Sequence, residues 1–225
     1  MKINFIQLDK PIDLNRHETI LNIKSKPVFA KVLFSLRRNT DYFKILKDNF
    51  NDSKQDSIVI LSPLEFELGS RQFSKSLQDK ILNDFNHSID LKSEVETAYA
   101  KLLDKIFDFM MINMDVSIAY DDDFSVENIL KKIKLSVGGG DGGDFLGVVQ
   151  NILKTLKNLT SDKLIVFADL SAYLSPLEYE FIIEQVRLDD QKILLIESNA
   201  SLGKIPRYEL DEDWTLFGED GKIII

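Results

Sequence analysis

Three stretches of the chain are apolar at almost every position: SIVILS (57–62), KLIVFADL (163–170) and KILLIES (192–198). A strand that alternates apolar and polar residues buries one face. A strand apolar throughout is buried on both, an arrangement found almost only in parallel sheets covered by helices. Between the last two runs lies PLEYEFIIEQVRL (176–188), which has helical periodicity, so the two flanking strands are expected to pair in parallel in a right-handed β-α-β unit. The N-terminal third reads the same way. KINFIQL (2–8) and TILNI (19–23) have strand character, and Pro27 opens the amphipathic VFAKVLFSLRR, where proline suits the first helical position. At the other end, WTLFGEDGKIII carries two strand-like runs around Gly218–Gly221 and predicts a β-hairpin.

Residues 71–160 change period and read as helix almost throughout. Phe73, Leu77, Ile81 and Phe85 form one stripe. Val95, Ala98, Tyr99, Leu102, Leu103, Ile106, Phe107 and Met110 form a longer one behind a Ser93-x-x-Glu96 capping box, and both stripes are expected to be core. Two shorter helices follow, over 126–135 and 145–159. In the second, Phe145, Val149, Ile152, Leu156 and Leu159 point one way and leave Lys154 opposite and Lys157 on the flank. The predicted organisation is an α/β head, residues 1–70 and 161–225, interrupted by a helical insertion, residues 71–160.

Several chemistries are excluded by what the chain lacks. It has no cysteine, which removes disulfides, thiolate metal sites and cysteine nucleophiles together. Its two histidines, His17 and His87, show no paired metal spacing and read as surface residues. No apolar run is long enough to cross a bilayer and Met1–Leu8 is too short and polar for a signal peptide, so a cytoplasmic protein is expected. The formal charge of −9 argues against a generally basic nucleic-acid binder, but the charge is uneven. Every charged residue from Asp115 to Glu127 is acidic, whereas Lys131, Lys132, Lys134, Lys154 and Lys157 gather in two helical segments with few acids.

The local motifs point less clearly. In SNASLGKIP (198–206), Gly203-Lys204 follows a strand as a phosphate loop would, but Ser198 replaces the first glycine, Ile205 replaces the magnesium-holding hydroxyl, and Pro206 opposes a following helix. Asp169 and Glu197, at the ends of apolar strands, have the form of metal-holding acids without a phosphate loop to complete the site. GGDGGDFLG (139–147) matches the calcium nonapeptide of β-roll repeats, yet a single copy has no stacked neighbour with which to share an ion. It reads as a connector with Asp144 capping the helix that follows. In DDDFSVE (121–127), Asp123 or Ser125 serves as a helix cap, while three adjacent short carboxylates equally suit a hard cation. No nucleophile, base and oxyanion arrangement can be assembled.

Taken in order, KINFIQLDKPIDL, TILNIKSKPVFAKVL, AYDDDFSVENILKKIK, LKNLTSDKLIVFADLSAYLSPLEY and PRYELDEDW resemble one family across essentially the whole chain: the type II-A CRISPR adaptation protein, the small non-nuclease partner of an integrase pair and an RNA-guided nuclease. The resemblance implies an ATPase-like α/β head with a degenerate nucleotide site and an inserted, extended α-helical leg. It implies a homotetrameric ring that takes up double-stranded DNA ends in a lysine-lined channel, supports spacer acquisition and has no catalytic activity. It also implies calcium in the leg. On this chain that region corresponds to Asp121, Asp122, Asp123 and Glu127, with Asp115 a weaker addition. The channel-facing candidates become Lys131, Lys132, Lys134, Lys154 and Lys157, with Lys101, Lys105, Arg71 and Lys75 behind them. Their role would be phosphate neutralisation, which carries no sequence information. The GGGDGGD run is a departure from the family pattern.

Two other classes stand beside this reading. One is an enzyme with a non-standard nucleotide site using Lys204 or Asp169. The other is a protein-interaction module whose acidic tail, Glu209–Asp220, recruits basic partners.

Overall fold

The apolar runs lie side by side. The computed structural model describes residues 1–5, 11–14, 17–38, 40, 42–46, 57–114, 125–133, 135, 137–138, 143–160, 163–198, 208–218 and 220–224. In chain order the elements are β1 (Lys2–Phe5), β2 (Ile12–Asp13), β3 (Glu18–Ile23), α1 (Lys26–Arg38), β4 (Phe43–Leu46), β5 (Ser57–Ile60), α2 (Arg71–His87), α3 (Ile89–Asn113), α4 (Val126–Lys132), α5 (Phe145–Leu159), β6 (Leu164–Ala168), α6 (Pro176–Leu188), β7 (Lys192–Glu197), β8 (Tyr208–Leu210) and β9 (Leu216–Phe217). Single 3-10 turns occupy Pro63–Glu65 and Leu170–Ala172.

The main sheet has the order β5-β6-β7-β3-β8-β9. Its first five strands are parallel and β9 runs antiparallel to β8. All of β6, and all of β7 after Lys192, is buried, as continuous apolar strands require. One face packs Leu21, Ile23, Leu164, Val166, Leu194 and Ile196 against Val28 and Val32 of α1. Alternate residues point the other way. There α5 buries Val149, Ile152, Leu153 and Leu156, and α6 buries Tyr179, Ile182, Ile183 and Val186. The tail is a hairpin, with Phe217 bridged to Ile223 and the turn closed by Gly218 N–H donating to the Lys222 carbonyl at 2.8 Å. Gly221 at φ 72° supplies the left-handed residue that turn needs.

The first strand departs from the expected β-α-β order. β1 leaves the main sheet and pairs antiparallel with β2 and β4 in a three-stranded sheet. Its burial alternates residue by residue, so it has one face to cover and suits an antiparallel sheet. Phe5 stacks on Phe43 with ring centres 6.1 Å apart and meets Trp214 at the same distance.

The chain divides into two compact units, residues 1–67 with 139–225 and residues 68–138. Helix α5, read from sequence as part of the insertion, therefore belongs to the first unit. Val149, Ile152 and Leu156 of its apolar stripe are buried there and Phe145 and Leu159 half-buried, with the helix packing on α6 and on the Pro63–Glu65 turn.

The second unit holds α2, α3 and α4, with α2 packing on both of the others. Phe73 and Phe85 are buried as expected, and Leu77 and Ile81 are half-buried. The long stripe of α3 is a correction. No residue of α3 is fully buried; Val95, Tyr99, Leu103, Phe107 and Met110 are half-buried, while Ala98, Leu102 and Ile106 are exposed. A stripe this broad exceeds what one neighbouring helix can cover. The Ser93-x-x-Glu96 box is a second correction. The helix starts at Ile89, and Lys92 N–H already donates to the Ser88 carbonyl at 3.0 Å, so Ser93 lies inside it. A genuine capping box sits at α6, where Glu178 N–H donates to Ser175 Oγ at 3.4 Å and Ser175 N–H to Glu178 Oε2 at 2.8 Å.

Candidate functional site: strand-end carboxylates and exposed lysines

In open parallel sheets, ligands gather at the carboxyl ends of the strands, and here two acids stand at those ends. β6 runs into Asp169, which adopts φ 55°, and β7 ends in Glu197. Asp169 Oδ1 accepts from Ser198 N–H at 3.1 Å and Ser198 Oγ at 2.7 Å. Glu197 Oε2 accepts from Ser171 N–H at 3.1 Å and Ser171 Oγ at 2.6 Å, and its Oε1 accepts from Tyr179 Oη at 3.0 Å. Burial raises the Glu197 pKa, an effect opposed by these hydrogen bonds and reinforced by the nearby Asp169 charge. Burial, and then the Glu197 charge, push the Tyr179 phenol well above its ordinary value. Both acids thus tie the Leu170–Ala172 turn, α6 and the strand ends to one another. The segment 199–207, with Lys204, lies outside the described residues.

The expected calcium region is described only at its end. Asp115, Asp121, Asp122 and Asp123 lie outside the described residues, as does Lys134. Ser125 is the N-cap of α4, accepting from Asn128 N–H at 3.4 Å. Glu127 sits in the first turn and its Oε1 lies 2.6 Å from Lys131 Nζ. Hydrogen bonding and the charge of Lys131 hold this carboxyl below its ordinary pKa. Among the described residues, no three acidic or histidine side chains converge in a cation-sized cluster.

The remaining lysines are all exposed: Lys101 and Lys105 one turn apart on α3, Lys131 and Lys132 on α4, and Lys154 and Lys157 on α5. Arg71 and Lys75 are exposed at the start of α2. Lys157 Nζ lies 2.5 Å from Asp189 Oδ1. Exposed pairs of this kind contribute at most about 1 kcal/mol and yield readily to a phosphate. Lys154 and Lys157 belong to the first unit and the other four to the second.

Other sequence features resolve locally. His17 is at the surface beside Asp190, and His87, also exposed, pairs Nδ1 with the Asn83 carbonyl at 2.7 Å. The acidic tail partly uses its own charge. Lys24 donates to Glu209 at 3.0 Å, Asp211 accepts from Asp213 and Thr215 N–H groups, and Lys222 donates to Asp220. Within the glycine run, residues 139–142 lie outside the described part, and Asp144 caps α5 as expected, accepting from Gly147 N–H at 2.7 Å. Replacing Asp144 by alanine is expected to cost about 1 kcal/mol in urea unfolding, and by asparagine much less.

Two surfaces escaped the sequence reading although their signals were present. α1 carries Lys26, Lys31, Arg37 and Arg38 and no acid. α6 has apolar residues on both faces, with Leu177, Phe181 and Leu188 exposed opposite its buried ones.

The chain was compared with known proteins. Residues 38–214 match the family model described as CRISPR-associated protein (Cas_Csn2). A protein of Streptococcus agalactiae named CRISPR-associated protein Csn2 is 25% identical over 98% of this chain and 99% of its own length. One of that name from Enterococcus faecalis is 21% identical over 96% of this chain and 98% of its own. Among solved structures, Stu0660 of Streptococcus thermophilus is similar in fold, with a TM-score of 0.53 and 16% identity across 94% of this chain and 74% of that one.

Proposed function

Because this chain belongs to the type II-A CRISPR-associated Csn2 family, we propose that it binds double-stranded DNA ends, dependent on calcium, in the channel of a homotetrameric ring. In this reading it supports spacer acquisition beside an integrase pair and an RNA-guided nuclease, and it catalyses nothing itself. The observation that carries the reading is the family match across residues 38–214.

Three features of the chain support it. The exposed lysines Lys101, Lys105, Lys131, Lys132, Lys154 and Lys157 offer phosphate neutralisation without base contacts. The broad apolar stripe of α3, with Leu102 and Ile106 exposed, is the kind of surface a subunit contact covers. The head also has a largely parallel sheet, as an ATPase-like head would, but no phosphate loop after β3. β3 passes to α1 through only Lys24 and Ser25, too short a link for a glycine-rich phosphate loop, and the strand-end acids are already hydrogen-bonded. A degenerate nucleotide site fits that arrangement better than a hydrolytic one.

Calcium would be held by Asp121, Asp122, Asp123 and Glu127, with Asp115 as a further donor, all hard oxygen ligands. Binding at Glu127 would release Lys131 from its ion pair and leave that ammonium for phosphate. The test pairs Asp122→Asn with Asp123→Asn. Calcium affinity and retention of a linear duplex are both expected to fall. An unchanged tetramer with unchanged DNA binding would remove calcium from this region, and equal retention of closed circular DNA would rule out entry from an end.

A further inference from the structure

Helix α1 meets the main sheet with Val28 and Val32 and turns a differently built face outward. Phe34 stands at the middle of that face and is 58% exposed. At about 100° per residue, Pro27 and Ala30 fall close to the line of Phe34. Lys26 and Arg37 lie about 60–80° to one side of it, and Lys31 and Arg38 about 40–60° to the other. All of these residues are exposed. The outcome is an apolar line bordered on both sides by cations over about 18 Å of helix.

The fold accounts for only part of this pattern. Among the described residues, none of the four cations is paired with a carboxylate; Lys24, just before the helix, is the one that takes Glu209. Arg37 and Arg38 suit the last turn, but Lys26 sits in the first, where the helix dipole disfavours a cation and no acid accompanies it. Lys26, Lys31 and Phe34 are thus left for something outside the chain.

We infer that this face docks an acidic amphipathic helix of another protein, one whose apolar stripe is bordered by Glu and Asp. The small Ala30 between Pro27 and Phe34 leaves a notch for a branched side chain of such a helix, and the two rows of cations meet carboxylates on either side of its stripe. Duplex DNA matches the charges but not the centre. Pro27, Ala30 and Phe34 offer no hydrogen-bonding side chain to a base edge, and phosphates leave the phenyl group without an apolar neighbour. A lipid surface requires more apolar area than one phenyl group supplies. The formal charge of −9 opposes an acidic partner at long range, but at physiological salt charges farther than about 8 Å are screened, whereas the cations of α1 act at contact. The inference stands on the surface of α1 and depends on neither DNA nor calcium binding.

The probe is a fluorescein-labelled helical peptide of about 18 residues, long enough to span the face, with leucines three and four apart and glutamates along both borders. It is titrated with the full-length chain and read by anisotropy at about 0.15 M salt. Saturable binding is expected. Phe34→Ala should weaken it about tenfold, and Lys31→Glu with Arg38→Glu about 30-fold or more. The urea midpoint should hardly move, because all three side chains are exposed. Lys31 and Arg38 form a single flank, so a peptide with lysine for glutamate along one border only should recover most of the loss in that double variant. No saturation up to about 1 mM chain would overturn the inference, as would equal binding of a glutamate peptide without leucines. So would a Lys31→Glu/Arg38→Glu variant that binds the peptide normally but loses duplex DNA or phosphatidylserine vesicles, because the face would then serve phosphate. None of these failures touches the DNA-end reading, which rests on the family match and on other lysines.

Discussion

Replacing Glu197 by leucine is expected to destabilise the fold by about 3 kcal/mol, read as a shift in the urea midpoint at constant slope. The carboxylate is fully buried at the end of β7, and three donors depend on it: the Ser171 amide, the Ser171 hydroxyl and the Tyr179 hydroxyl. Leucine strands them, and Tyr179 is itself buried, so water cannot replace the lost acceptor there. Glutamine keeps one acceptor for Ser171 and offers an amide donor to the Tyr179 oxygen, so Glu197→Gln should cost about 1 kcal/mol or less. The pH dependence separates charge from hydrogen bonding. Burial raises the Glu197 pKa in the folded state above the unfolded value of about 4.3, so the folded chain holds this proton more tightly. Its favourable contribution is complete below the unfolded pKa and is lost as pH rises through the folded one. Wild type should therefore lose stability relative to Glu197→Gln over that window as pH increases, and a difference constant with pH would contradict the assignment.

Truncating Phe167 to alanine should cost about 3–5 kcal/mol. Its ring is fully buried in β6, and in register its neighbours are Ile60 of β5 and Leu195 of β7, so a cavity opens between two strands that cannot close over it. Leu102→Ala on α3 provides the contrast. Leu102 is exposed, and its truncation should change monomer stability by less than about 0.5 kcal/mol. A large loss at Leu102 under conditions where the ring assembles would instead report a subunit contact.

The parts of the fold that were legible share one property: their residues are satisfied by near neighbours in sequence or by burial on every side. Continuous apolar runs marked β6 and β7, and their parallel pairing followed from the helix between them, whereas β5, expected to be buried on both faces, is an edge strand whose burial alternates because it has a neighbour on one side only. The limits of α5 and α6 were readable because Asp144 and Ser175 cap them directly. What was hidden depends on partners distant in the chain. Nothing local to KINF says that it joins β4 across residues 43–46, nor that Trp214 will sit against Phe5. The stripe of α3 looked like core because periodicity reports apolarity and cannot say whether enough protein lies opposite to cover it. The same limitation placed α5 in the insertion, since its helical period resembles that of α2 and α3 although it packs on α6. At the strand ends, Asp169 and Glu197 resembled metal-holding acids until the serine and tyrosine donors around them were located. The lysines were legible as an uneven charge distribution, but the pairing of Lys131 with Glu127 and of Lys157 with Asp189 was not read.

Light scattering coupled to size exclusion tests ring, metal and ligand in one experiment. With calcium and a short linear duplex, the chain should elute as a tetramer carrying DNA, with binding that weakens steeply as salt rises. Chelation of calcium should reduce both the tetramer and the bound DNA. A monomer that neither assembles nor retains duplex at low salt with calcium present would contradict the proposal.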